Sequence, residues 1–148
     1  MAGDTFTEAD MASDVVVVSE SGKGRYQQEV IVGQHHLIAD EPASMGGDDS
    51  GPAPFDFLLT ALGACTAMTL RMYAERKNLP LRKVSVALRH EKLDVDGVRR
   101  DRIEREISLD GDLTPAERQR LLEIAEKCPV HRTLSQPLLI ASSLAAEA

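Results

Sequence analysis

The chain has 148 residues, three phenylalanines, two tyrosines and no tryptophan, so aliphatic side chains must fill its interior. A formal net charge of −7 argues against nucleic acid and anionic membrane surfaces as partners. No apolar run reaches transmembrane length, and residues 1–13, acidic and polar, lack the apolar centre of a signal peptide, so a cytoplasmic location is expected.

In chain order, residues 1–13 read as a flexible lead-in and residues 14–148 as a single domain. Residues 15–19 form a short β-branched strand, Ser21-Gly22-Lys23-Gly24 a turn, and residues 26–32 and 36–39 continue a meander through Gly33-Gln34. Residues 40–53, rich in Gly, Pro, Asp and Ser, read as a loop, with Gly46-Gly47-Asp48-Asp49-Ser50 flexible enough to cover a pocket. Pro54 suits the first turn of a helix running to about Asn78. Residues 57–70 carry no charge and should be buried on all sides; residues 72–77 are amphipathic and basic.

A half-buried strand follows over residues 84–90. Asp94-Val95-Asp96-Gly97 turns the chain, and residues 102–109 return with Ile103, Ile107 and Leu109 inward. Arg99, Arg100, Arg102 and Arg105, interleaved with Asp101, Glu104 and Glu106, read as a solvated hairpin face. Thr114-Pro115-Ala116-Glu117 is a capping box with proline at the first helical position. Leu121, Ile124 or Ala125, and Cys128 then share a helical face; Pro129 ends the helix, and residues 138–141 can add a last strand. Strands, a long helix, a hairpin, a helix and a strand make an α+β fold with mainly antiparallel sheet.

Chemistry centres on the two cysteines, Cys65 and Cys128. In a reducing compartment such a pair is more often reactive or metal-binding than a permanent staple. Small neighbours surround Cys65, and mid-helix Gly63 costs about 1 kcal/mol relative to alanine, which implies close packing or substrate access there. Core packing, redox chemistry and metal binding all remain open for this thiol on its residues alone, and a nucleophilic role requires a cation or donor to lower its pKa. Cys128, placed at a helix C-terminus where the dipole disfavours a thiolate, suits a resolving thiol. No metal is expected, because Cys65, Cys128 and His131 are scattered and no Cys-x-x-Cys is present. His35-His36 reads as a strand edge.

The segment Gly51-Pro-Ala-Pro-Phe-Asp-Phe-Leu-Leu-Thr-Ala-Leu-Gly-Ala-Cys65-Thr-Ala-Met-Thr, with Cys128-Pro-Val-His-Arg-Thr-Leu134 beyond it, resembles the OsmC/Ohr family, over residues 15–141 in element order. The likeness is strongest to its OsmC-like branch. It implies antiparallel sheets around a long central helix, an intertwined homodimer, and thiol-dependent reduction of organic hydroperoxides. Cys65 would attack the peroxide and become a sulfenic acid. Cys128 would condense with it to a disulfide, which an external dithiol such as a lipoyl group reduces; no cofactor is implied.

The family's arginine, just past the first β-turn, matches Arg25, with Lys23 its rival. The family's glutamate, ten residues before the cysteine, is replaced by Phe55, and Asp56 stands one later. On a straight helix Asp56 is half a turn out of phase with Cys65. It reaches the sulfur only through a helix break near residues 61–63 or across a dimer interface, and otherwise acts as an N-terminal helix acid. Leu58, Leu62, Met68, Leu70 and Met72 are expected to line an apolar pocket for alkyl or fatty-acyl chains, with His131 and Arg132 near the site. A non-enzymatic redox sensor or small-molecule binding module on the same fold, and a structural dimer with inert thiols, are the alternatives.

Overall fold

Two glycine-marked turns, at Gly22 (φ 75°) and Gly33 (φ 57°), fold the β-branched N-terminal stretch into a meander. The computed structural model of the protein describes residues 15–146; the lead-in expected over residues 1–13 lies outside them. Strands β1 (Val16–Glu20), β2 (Gln28–Val32) and β3 (His35–Ala39) pair antiparallel in that order, Val16 facing Val32 and Val32 facing His35.

Contacts divide the chain into two units. The first holds the meander and the residues up to Asp56, with those from Leu139 on; the second spans Phe57 to Leu138. In the first unit, the stretch expected to be a flexible loop is pinned around one buried carboxylate. Asp40, 3% exposed, accepts hydrogen bonds from the Ser50 hydroxyl (2.6 Å) and the backbone N–H groups of Glu41 (2.8 Å), Ser50 (3.1 Å) and Asp48 (3.3 Å). A side chain at Gly47 or Gly51 would strike the carbonyl oxygens of Glu41 or Ile38 at about 2 Å, so glycine is required at both.

The bond from the Ser50 hydroxyl, joined by the three backbone bonds, holds the Asp40 carboxyl below its ordinary range against the opposing effect of burial. A carboxyl depressed in the folded state contributes stability above its unfolded pKa, lost as the pH falls through the folded value. Thermal melts should therefore show wild-type protein losing stability between about pH 5 and 3 more steeply than Asp40→Ala, which is less stable at neutral pH. Parallel pH profiles for the two proteins would refute this.

The second unit is built on the helix α1 (Pro54–Arg76) and a long hairpin. Asn78, at φ 54°, and the bond from Leu79 N–H to the Ala74 carbonyl end α1 ahead of Pro80. Strands β4 (Leu81–Val95) and β5 (Val98–Gly111) meet at Asp96-Gly97, whose φ values of 51° and 78° suit a tight hairpin turn. Both strands run well past their expected ends, because Arg89–Glu104, Glu91–Arg102, Lys92–Asp101 and Asp94–Arg99 pair charges across the outer part of the ladder.

Helix α2 (Pro115–Ala125) starts with the expected capping box: Glu117 N–H donates to the Thr114 hydroxyl (3.1 Å) while the Glu117 carboxylate accepts from Thr114 N–H (3.0 Å). It packs Leu121, Ile124 and Ala125 against Leu70 and Tyr73 of α1, with Val84, Ile107 and Leu109 of the hairpin closing the core. The whole is α+β with antiparallel sheets and a long helix.

Four sequence expectations change here. Within the chain α1 is buried on one side only. Leu62, Thr66, Leu70 and Tyr73 face inward, whereas Ala61, Ala64, Met68 and Met72 form an exposed stripe at helical spacing. Helix α1 is also, at 23 residues and a mean hydropathy of 1.3 in its most apolar window, long and apolar enough to cross a membrane. A core helix has the same length and composition, and its inward side packs into the core just described. The strand expected over residues 138–141 does not form; with Leu139 fully exposed, no strand among the described residues satisfies that backbone. Lastly, Pro129 does not merely end a helix: it opens another, α3 (Pro129–Leu134).

Candidate active site

Proline at position 129 costs no hydrogen bond at the first turn of a helix, so the chain can stop α2 and restart at once. Cys128 thereby becomes the N-cap of α3 rather than the end of α2, and its Sγ accepts from His131 N–H at 3.3 Å. The expected penalty on a thiolate at a helix C-terminus does not apply to Cys128. Its side chain is fully buried, whereas Cys65, on α1, is partly exposed; both are free thiols.

These two residues, far apart in sequence, meet. The Cys128 thiol, the backbone N–H of Val130 and the hydroxyl of Thr69 lie beside Cys65 and favour its thiolate. Burial works to raise the Cys65 thiol pKa. Hydrogen bonds from Val130, Cys128 and Thr69, in that order, together with the charge of Arg105, outweigh it and hold the thiol below its ordinary value. A partly accessible thiol with a lowered pKa and a second thiol in contact can attack an electrophile and then close a disulfide.

Arg105 is the functional candidate the sequence reading missed. It was grouped with the solvated hairpin arginines, yet its side chain is only 9% exposed. Its Nη1 donates to the Thr66 hydroxyl (3.0 Å) and its Nη2 to His131 Nδ1 (3.1 Å). The parity was readable: Arg105 alternates in phase with the inward Ile103, Ile107 and Leu109, and faces Leu88 across the ladder. Gly63, one turn below Thr66, lets α1 approach the same strand pair, since a Cβ there would stand 2.7 Å from Leu88 Cδ1.

The remaining candidates lie as follows. The Arg25 guanidinium, in the N-terminal unit, stacks over the Tyr26 ring at 5.0 Å. The Asp56 carboxylate accepts from Ala53 N–H (2.9 Å), the behaviour of a helix N-terminal acid. Helix α1 runs unbroken past residues 61–63, which removes the kink that could turn Asp56 toward Cys65. Leu58 is partly buried, Leu62 and Leu70 are core, and Met68 and Met72 are exposed along a shallow groove with Arg71, Lys83 and Val84. These five do not form one pocket wall within the chain, because α1 divides them between its two sides. His131 is half-buried beside the thiol pair, bridging Arg105 and Glu126. No three metal-ligating side chains converge among the described residues.

An α+β fold carrying a thiol pair on its long helix and on a Cys-Pro helix start defines a dithiol protein. The family described as OsmC-like protein matches residues 47–143, which hold both cysteines, and the chain belongs to that family. Among solved structures it is similar to an OsmC-like protein from Mycoplasma pneumoniae, 21% identical over 82% of this chain and 84% of that one, with a TM-score of 0.65. It is similar, at 19% identity over 79% and 85% of the two chains and a TM-score of 0.66, to an osmotic stress induced and detoxification response protein from Psychrobacter arcticus. An organic hydroperoxide resistance protein OsmC from Legionella pneumophila is 19% identical over 81% and 87%, with a TM-score of 0.61. Such identities speak for the fold alone. No curated protein matches the sequence.

Proposed function

We propose that the protein is a thiol-dependent peroxidase that reduces organic hydroperoxides, alkyl or fatty-acyl, through Cys65 and Cys128. One pairing carries the reading: the buried Cys128 thiol lies beside a partly exposed Cys65 and favours its thiolate. Family membership and the solved hydroperoxide resistance protein of the same fold support it.

In this reading the Cys65 thiolate attacks the distal peroxide oxygen. The O–O bond breaks, an S–O bond forms, and the departing alkoxide takes a proton to leave as the alcohol. The Cys65 sulfenic acid then condenses with the Cys128 thiol, releasing water and forming the disulfide. An external dithiol, lipoyl or similar, restores both thiols by exchange and is itself oxidised. Leu58 and Met68 offer aliphatic contacts that favour an alkyl chain over hydrogen peroxide. The exposed stripe of Ala61, Ala64, Met68 and Met72 suits a second copy of the chain, so the working form is a homodimer. Sedimentation velocity should return twice the chain mass; a monomer at micromolar concentration would refute the dimer.

Mass spectrometry after one equivalent of cumene hydroperoxide tests the reaction. The expected product is the protein less two hydrogens, with Cys65 and Cys128 joined; unchanged thiols after complete mixing would overturn it. A second reading, a non-enzymatic redox sensor or small-molecule binder, is favoured by Phe55 at the family's glutamate position. Formation of the same disulfide without repeated turnover in the presence of dithiol would select it.

A further inference from the structure

Arg105 is a cation buried against α1 and α3, and such a group needs hydrogen-bond partners at most of its donors. Its Nη1 binds the hydroxyl of Thr66, the residue after Cys65, and its Nη2 binds Nδ1 of His131, the residue after Val130. The guanidinium thus bridges the two chain segments that meet at the Cys65 sulfur. Its nearest carboxylate, Glu126, stands at 3.8 Å from Nη2 and is 58% exposed. That carboxylate pairs with Arg105 through Oε1 and with His131 through Oε2, 3.0 Å from its Nε2.

The tautomer follows from donor chemistry. Arginine only donates, so His131 Nδ1 must present a lone pair, and the ring proton sits on Nε2, where it donates to Glu126. A neutral imidazole between cation and carboxylate, with the carboxylate also 3.8 Å from Nη2, fixes the guanidinium in place. The titratable and charged groups around this point are Cys65 on α1, Arg105 on β5, Glu126 after α2, and Cys128 and His131 at α3.

We propose that Glu126 and neutral His131 are positioning residues that orient the Arg105 guanidinium toward Cys65, making Arg105 the cation that favours this thiol's ionised, reactive form. The inference rests on Cys65 being the reactive thiol of the proposed function, but its test reads the thiol and uses no peroxide. The lowered Cys65 pKa, to which the Arg105 charge contributes, agrees with this arrangement. Glutamine at position 131 can accept at its carbonyl oxygen and donate at its amide, reproducing both bonds, whereas phenylalanine reproduces neither.

The experiment is the pH dependence of Cys65 alkylation by iodoacetamide in the full-length reduced protein, with the modified site located by peptide mass. Wild-type protein should give a midpoint below the free-thiol value of about 8.5. Arg105→Gln should raise the midpoint by about one pH unit. His131→Phe, at a partly open side chain, should move it in the same direction, and His131→Gln should keep it near wild type. Should Arg105→Gln fail to fold, the two His131 variants decide. Equal midpoints for His131→Phe and His131→Gln, or a folded Arg105→Gln that titrates like wild type, would overturn the proposal. Absence of peroxide consumption together with the expected alkylation pattern would instead sink the peroxidase reading and leave this one standing.

Discussion

Cys65→Ser will abolish the consumption of cumene hydroperoxide, lowering the rate by about three orders of magnitude or more, as removal of an essential nucleophile does. The serine hydroxyl keeps the size and can keep the bond from Val130 N–H, but at neutral pH it supplies no appreciable anion to attack the O–O bond. Cys128→Ser behaves differently. Its Cys65 still attacks once, but the sulfenic acid has lost the neighbouring thiol that would condense with it and, with excess peroxide, climbs to the sulfinic acid. Stopped-flow loss of hydroperoxide, with intact-mass readout of each variant, separates the two. Residual wild-type rate in Cys65→Ser would remove Cys65 from the mechanism, and a Cys128→Ser protein that resists overoxidation would remove Cys128.

Leu121→Ala will cost about 2–5 kcal/mol of folding stability, the range for emptying a fully buried leucine site. Leu121 has no exposed surface and packs among Leu70, Tyr73, Ile124 and Ala125, the contacts that hold α2 on α1. Collapse around the missing methyls is restricted, because the Tyr73 hydroxyl accepts from Arg120 Nε (3.3 Å) and Arg118 ties α2 to the carbonyls of Leu109 and Gly111 (2.9 and 3.1 Å). Urea unfolding measures the loss. Leu122→Ala, one position along on an exposed face, is the control and should change stability by less than about 0.5 kcal/mol. A Leu121→Ala midpoint indistinguishable from that control would refute this account of the core.

Local chemistry was legible where one or two residues decide the outcome. The capping box at Thr114 and Glu117, the Asp96-Gly97 turn, Pro54 at the start of α1 and the stop at Asn78 all appear where short-range sterics and hydrogen bonding require them. Charge alone groups Arg105 with its solvated neighbours, whereas its phase with Ile103 and Ile107 places it inward. Cys128 was misplaced for a related reason. A Cys-Pro pair can close one helix or open the next, and the pattern of Leu121, Ile124 and Cys128 on one face fits both until the chain direction after Pro129 is known.

By itself, the sequence determined the elements up to the Thr114 helix, the family, and which residues have reactive chemistry to offer, because these depend on local periodicity, turn residues and two distinctive motifs. Only the tertiary structure decided that Cys65 and Cys128 meet, that Val130 N–H and the Arg105 charge favour the thiolate, and that one stripe of α1 stays uncovered within the chain. Those outcomes depend on contacts between residues dozens of positions apart, and they follow from the packing of α1, β5 and α3 around one sulfur rather than from the preference of any single segment.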